Sequence, residues 1–128
     1  MENKAKSIII TGSNKGIGYG IVEGLAQHPK AWKIYMACRN LELANNSKTE
    51  LLSKYPEASI ETLELDVSSN DSIDKFISNL QDKNILVDVL VNNAGIAWKG
   101  DAFDYDIVKA TFQTVRYILL RISLGQYI

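Results

Sequence analysis

Apolar residues along this chain follow two alternating rhythms. Strand-like runs occupy Lys6 to Thr11, Lys33 to Cys38, Ile60 to Leu65 and Leu86 to Asn92. Between them the spacing turns helical. Ile17, Ile21, Val22 and Leu25 recur at helical intervals before His28-Pro29 stops the run. A second helix is predicted to start with Asn40 as N-cap and to continue through Leu43, Ala44, Leu51 and Leu52 to Tyr55, where Pro56 ends it. A third begins near Ser69 to Asp71, and Ile73, Phe76, Ile77 and Leu80 trace its apolar stripe. No internal repeat, low-complexity tract or linker interrupts the alternation, so it predicts a βαβ series with a parallel sheet.

Right-handed crossovers then give strand order 3-2-1-4, with the first strand beside the fourth. This is the arrangement of a Rossmann-type, doubly wound α/β sheet. Its crevice lies at the carboxyl ends of strands one and four, where open α/β sheets bind ligands. A glycine motif stands at each of those two ends. The first is Thr11-Gly12-Ser13-Asn14-Lys15-Gly16-Ile17-Gly18, the second Asn92-Asn93-Ala94-Gly95. In the first, Gly12 permits a tight turn, Gly16 removes a Cβ where phosphate approaches the backbone, and Gly18 allows close helix packing. Free N–H groups and the positive helix end suit the pyrophosphate of a dinucleotide.

Composition narrows the partners. With 46% hydrophobic and 23% charged residues and a net charge of −1, the 128-residue chain has the make-up of about one globular domain. Nothing in it favours nucleic acid or a membrane. The polar start Met1 to Lys6 leads directly into the first strand and leaves no secretory signal, so a cytoplasmic location is expected. One cysteine, Cys38, excludes an internal disulfide and a cysteine metal cluster and reads as a small core residue.

Cofactor type is read at the end of the second strand. An NAD site usually places an acid there for the ribose 2′-OH, whereas a 2′-phosphate needs positive charge. The chain has Cys38-Arg39-Asn40 at that point. Arg39 suits a planar, charge-assisted phosphate contact, and Lys15 can approach from the other side. Both also suit an ordinary solvated surface, and Glu42 opposes a phosphate.

Together, Thr-Gly-x-x-x-Gly-Ile-Gly and Asn-Asn-Ala-Gly resemble the short-chain dehydrogenase/reductase family. Ser13 to Gly18 and Asn92-Asn93-Ala94-Gly95-Ile96-Ala97-Trp98-Lys99 look most like its carbonyl reductases. The resemblance covers residues 7–114 of a single NAD(P)-binding domain and leaves 115–128 as a divergent tail. It implies NADP(H) in preference to NAD(H), held by Gly12, Ser13, Asn14, Lys15, Gly16, Ile17, Gly18, Arg39, Asp66, Val67, Asn93, Ala94 and Gly95. Asp66 and Val67 match the pair beside the adenine ring, where Asp66 accepts from the exocyclic amine. Capping the next helix is the alternative role for Asp66. Asn92 and Asn93 tie strand four to its neighbours.

No catalytic residue is assigned. The family protonates its carbonyl substrate with Tyr-x-x-x-Lys, aided by a Ser and an Asn. Tyr105-Asp106-Ile107-Val108-Lys109 fits that spacing formally. It comes ten positions after Gly95, however, whereas the family's motif lies beyond a fifth strand. The catalytic Asn is expected just after Phe112-Gln113-Thr114, where the chain has Val115. These features imply the cofactor-binding half of an NADPH-dependent carbonyl reductase, from a truncated, alternatively spliced or frameshifted product. The other reading is a non-catalytic NADP(H)-binding or interaction module that pairs with a full-length relative. An uncovered strand-four edge then predicts self-association, unless residues 103–124 cover it as an amphipathic helix.

Overall fold

Three consecutive isoleucines set the centre of the sheet. Ile8, Ile9 and Ile10 form the middle of β1 (Lys6–Thr11), and all three are buried because helices cover both sides of the strand. The structure, a computed structural model, describes residues 4–94. The elements run β1, α1 (Gly16–Ala26), β2 (Trp32–Cys38), α2 (Leu41–Lys54), β3 (Ser59–Glu64), α3 (Asn70–Asp82) and β4 (Val89–Val91). The sheet order is β3-β2-β1-β4 with every pairing parallel, as the crossover rule predicts.

Alternation along the strands builds two cores. Ile8, Ile10, Ile34, Met36 and Cys38 pack with Val22, Ala26, Ala44 and Leu51, on the side of α1 and α2. Ile9, Tyr35, Ala37, Leu63 and Leu65 pack with Ile73, Phe76 and Leu80 of α3. Each such aliphatic or aromatic side chain contributes about 1.5–3 kcal/mol on burial. β3, at one end of the sheet, alternates buried Ile60 and Leu63 with exposed Glu61 and Glu64.

Two expected apolar positions face outward. Ile17 is 80% exposed, so the inner face of α1 is Gly18, Val22 and Ala26, flanked by Ile21 and Leu25. Leu43 is half exposed, and Ala44 and Leu51 carry the inner face of α2. Strand four is also shorter than Leu86 to Asn92. The Asp88 carboxylate accepts the Ser7 N–H at 2.8 Å, so the ladder with β1 begins only at Ile8–Val89, and Leu86 is 75% exposed.

The turn from α3 to β4 has a Schellman cap. Asn84 sits at φ 53° and donates its N–H to Gln81, while Ile85 donates to Leu80, satisfying two terminal carbonyls. Glycine takes this conformation without a Cβ penalty. Asn84→Ala should therefore lower stability by about 1 kcal/mol while Asn84→Gly leaves it nearly unchanged. Urea midpoints of the two variants check this. Among the described residues no helix is long and apolar enough to cross a membrane.

Candidate functional site

The carboxyl end of β1 turns into α1 through two glycines at positive φ, Gly12 at 61° and Gly16 at 64°. They serve different ends. A Cβ on Gly12 would stand 2.9 Å from the Ala94 Cα, so this position is needed for close approach of the β4 end as well as for the turn. On Gly16 a Cβ would meet nothing within 4 Å, which leaves an open face at the start of the helix. Gly18 is the most confined of the three. Its Cβ would lie 2.6 Å from the Asn93 Nδ2, 2.8 Å from the Ser13 Cα and 2.9 Å from the Gly12 carbonyl oxygen.

A polar lock joins the ends of β1 and β4. The Thr11 hydroxyl, in a residue only 1% exposed, accepts the N–H groups of Asn93 at 3.0 Å and Ala94 at 2.9 Å. It donates in turn to the Val91 carbonyl at 3.4 Å. The Asn93 amide donates from Nδ2 to the carbonyls of Thr11 and Gly12, both at 3.1 Å. Asn93 is thus committed to backbone groups, the tying role expected for it. The neighbouring Asn92 Oδ1 is shut off from solvent and has no hydrogen-bond partner among the described residues.

Helix capping separates α1 from its neighbours. Asn40 caps α2 by accepting from the Leu43 N–H at 3.1 Å, and Ser69 caps α3 by accepting from the Ser72 N–H at 3.2 Å. At α1 the N-cap is Lys15, extended at φ −158° and ψ 170°, with no side-chain cap. The first turn of α1 therefore presents uncapped N–H groups beside the open face of Gly16 and the exposed Ile17. Backbone donors, a helix dipole and a neighbouring Lys15 can hold an anion there. Ser13 contributes no side chain to that face. It is fully buried, its hydroxyl donates to the Ile10 carbonyl at 3.0 Å, and the Cys38 thiol lies 3.8 Å away. Asn14 is half-buried and its carbonyl accepts from Ser47.

Arg39 is exposed where β2 ends, immediately before the Asn40 cap. Val67 is half-buried against the α3-side core. Asp66, after β3, folds into a turn in which its Oδ1 accepts from the Ser68 hydroxyl at 2.6 Å and the Ser68 N–H at 2.9 Å. Those bonds, the hydroxyl first, hold the Asp66 carboxyl below its ordinary value of 3.8 despite partial burial, and Arg39 helps. Asp66 thus does local turn-forming work through one oxygen. Its contribution to stability is fully present above 3.8 and is lost as pH falls through the lower folded value. Asp66→Asn should therefore flatten the acid limb of stability below about pH 4. Denaturation midpoints between pH 2 and 5 measure this.

Gly95, Tyr105, Lys109 and the 115–128 tail lie outside the described residues. Among those described, no group of three His, Cys, Asp or Glu side chains can hold a metal. Two residues with positional roles escape the sequence reading. Thr11 carries a signal, a hydroxyl at a strand end beside the turn glycine. Ser47 carries none, lying 33 positions from the loop it touches.

Comparison with known proteins agrees with this geometry. The family pattern described as short chain dehydrogenase matches residues 6–118. A WW domain-containing oxidoreductase of Gallus gallus is 33% identical over 108 residues, covering 84% of this chain and 26% of its own length. An NADP-dependent 3-hydroxy acid dehydrogenase of Schizosaccharomyces pombe is 40% identical over 92 residues, covering 72% of this chain and 35% of its own length. Among solved structures, an NADPH-bound carbonyl reductase from chicken fatty liver superposes with a TM-score of 0.72 at 25% identity, over 98% of this chain and 48% of that one. An L-sorbose reductase of Gluconobacter frateurii, complexed with NADPH and L-sorbose, has the same fold at a TM-score of 0.75. The chain thus spans about a quarter to a third of these curated relatives and about half of these structures. With the sheet order, the uncapped glycine turn and the β1–β4 lock in place, the match over residues 6–118 shows that the chain belongs to the short-chain dehydrogenase family.

Proposed function

We propose that this chain binds NADP(H) between the carboxyl ends of β1 and β4, as the cofactor-binding part of a reductase of carbonyl compounds. The observation that carries the reading is the N-terminus of α1, left without a side-chain cap beside a glycine whose missing Cβ faces open space. In this reading the pyrophosphate rests on the first turn of α1. Lys15 and Arg39 face the 2′-phosphate, Asp66 and Val67 flank the adenine, and the Asn93-Ala94-Gly95 backbone passes under the ribose. In the same reading exposed Ile17 offers an apolar contact to the bound cofactor. A bound nicotinamide supplies the hydride, while the residues of this chain bind and orient it.

Proton donation to the substrate is not assigned to these 128 residues, because Tyr105 and Lys109 follow the second motif too closely for the family's Tyr-x-x-x-Lys. NADPH-bound relatives and the absence of an acid at the end of β2 support NADP(H) over NAD(H). The second reading, a module that pairs with a relative through strand addition, draws support from the terminal place of β4 in the described sheet.

NADPH at 100 times its dissociation constant should stabilise the chain by about 2.7 kcal/mol, with a smaller effect from NADH at equal concentration. Thermal shifts measure both, and equal shifts would remove the 2′-phosphate assignment. Turnover of carbonyl compounds by these 128 residues should be undetectable. NADPH oxidation that vanishes in Tyr105→Phe would instead restore Tyr105 as a proton donor, since a general acid contributes about 10²–10⁴ in rate.

A further inference from the structure

Ser47 sits on α2, yet its hydroxyl reaches the turn between β1 and α1 and donates to the Asn14 carbonyl at 2.7 Å. That turn is intrinsically adaptable, with glycines at positive φ on both sides of Asn14 and Lys15 and no side-chain cap on the helix that follows. A trans peptide unit is planar, and its C=O and N–H point in opposite directions. Holding the Asn14 carbonyl toward α2 therefore aims the Lys15 N–H away from α2. It also keeps a carbonyl oxygen, which would repel an anion, engaged elsewhere.

The same helix governs Arg39. α2 starts directly after Arg39 and Asn40, and a second contact joins it to α1, where Lys54 lies 3.6 Å from Glu23 while also pairing with Glu50 one turn earlier on α2 itself. Ser47, Glu50 and Lys54 are spaced by three and four residues and so share one helical face. Glu23 and Lys54 form a partly exposed ion pair between the helix bodies, which adds little to stability. Ser47 alone among them reaches the loop.

We propose that Ser47 is a positioning residue for dinucleotide affinity, fixing the Asn14–Lys15 peptide against α2 so that the phosphate-facing turn and Arg39 share one frame. This rests on the NADP(H) reading above. Losing one hydrogen bond of ordinary strength corresponds to about fivefold in affinity. Alanine suits a helix at least as well as serine, so Ser47→Ala should fold.

Calorimetric titration of the 128-residue chain with NADPH, and chemical-shift titration with adenosine 2′-monophosphate, which lacks the pyrophosphate, test the proposal. Ser47→Ala should bind NADPH about fivefold more weakly, lose less affinity for adenosine 2′-monophosphate, which does not engage the backbone N–H groups of the turn, and lower its thermal midpoint by only a few degrees. Ser47→Thr, which retains the hydroxyl, should restore NADPH affinity. Without ligand, the Lys15 amide resonance should move in Ser47→Ala and return in Ser47→Thr. Unchanged NADPH affinity in Ser47→Ala, or equal loss for both ligands, overturns the role of Ser47 while leaving the NADP(H) site standing. If the original chain binds neither ligand, the NADP(H) reading falls and the Ser47 proposal falls with it.

Discussion

Gly18→Ala is expected to remove fold stability and dinucleotide binding together, whereas Gly16→Ala removes binding at a much smaller cost in stability. The two glycines are two positions apart and face opposite situations. A methyl on Gly18 enters space already held by the Ser13 Cα at 2.8 Å and the Gly12 oxygen at 2.9 Å, both backbone atoms that cannot swing aside. It also presses on the Asn93 Nδ2 at 2.6 Å, the donor that ties β4 to the carbonyls of Thr11 and Gly12. Overpacking of this kind costs about 1–3 kcal/mol, and each bond lost costs about 1 more. A total near 3 kcal/mol is a large share of the roughly 5–15 kcal/mol that holds a domain folded. A methyl on Gly16 meets nothing, and its cost is the left-handed φ of 64°, about 1–2 kcal/mol. It projects into the space assigned to phosphate. Urea unfolding and NADPH titration of both variants separate the cases. A Gly18→Ala chain that unfolds at the original urea concentration would contradict the close packing described.

Arg39→Asp should reverse the cofactor preference, lowering NADPH affinity about 100-fold and raising that for NADH. A charge-assisted bond to phosphate is worth about 1.5–3 kcal/mol, which is roughly ten- to 150-fold, and the new carboxylate adds repulsion. The same carboxylate can accept from a ribose 2′-OH. Glu42, in the first turn of α2, already places one acid nearby, so the aspartate would reinforce an existing field. Fluorescence titration with each reduced cofactor reads the ratio directly, and an unchanged ratio would leave Arg39 as a solvated surface cation.

The sheet was legible because its strands are short apolar runs and right-handed crossovers admit few arrangements of them. The turn at Gly12 and the tight packing at Gly18 were legible too, since each demands the missing Cβ, whereas at Gly16 it is the positive φ that favours glycine. Helical spacing located α1 correctly but does not by itself say that Ile17, in its first turn, stands open to solvent. Periodicity overextended strand four because Asp88 takes the Ser7 N–H by its side chain, a bond between residues 81 positions apart. The Ser47–Asn14 bond is invisible for the same reason, whereas the tying role of Asn93 was legible and only its Thr11 partner was not. At Asp66 the expected alternative, capping α3, falls to Ser69 instead, and Asp66 forms the preceding turn with Ser68.

The lock between Thr11 and Asn93 also bears on the order of folding. The hydroxyl acceptor is made near the start of synthesis and its partner 82 residues later, so the bond belongs to the most non-local pairing in the described sheet. β1, β2 and β3 are joined through shorter connections and can assemble sooner, whereas closing β4 onto β1 carries the larger loop entropy. Until Asn93 and Ala94 reach Thr11, the glycine turn lacks the backbone it packs against. The site is therefore complete only when the fourth strand is docked, so its ligand-binding geometry depends on the longest-range pairing of the described sheet.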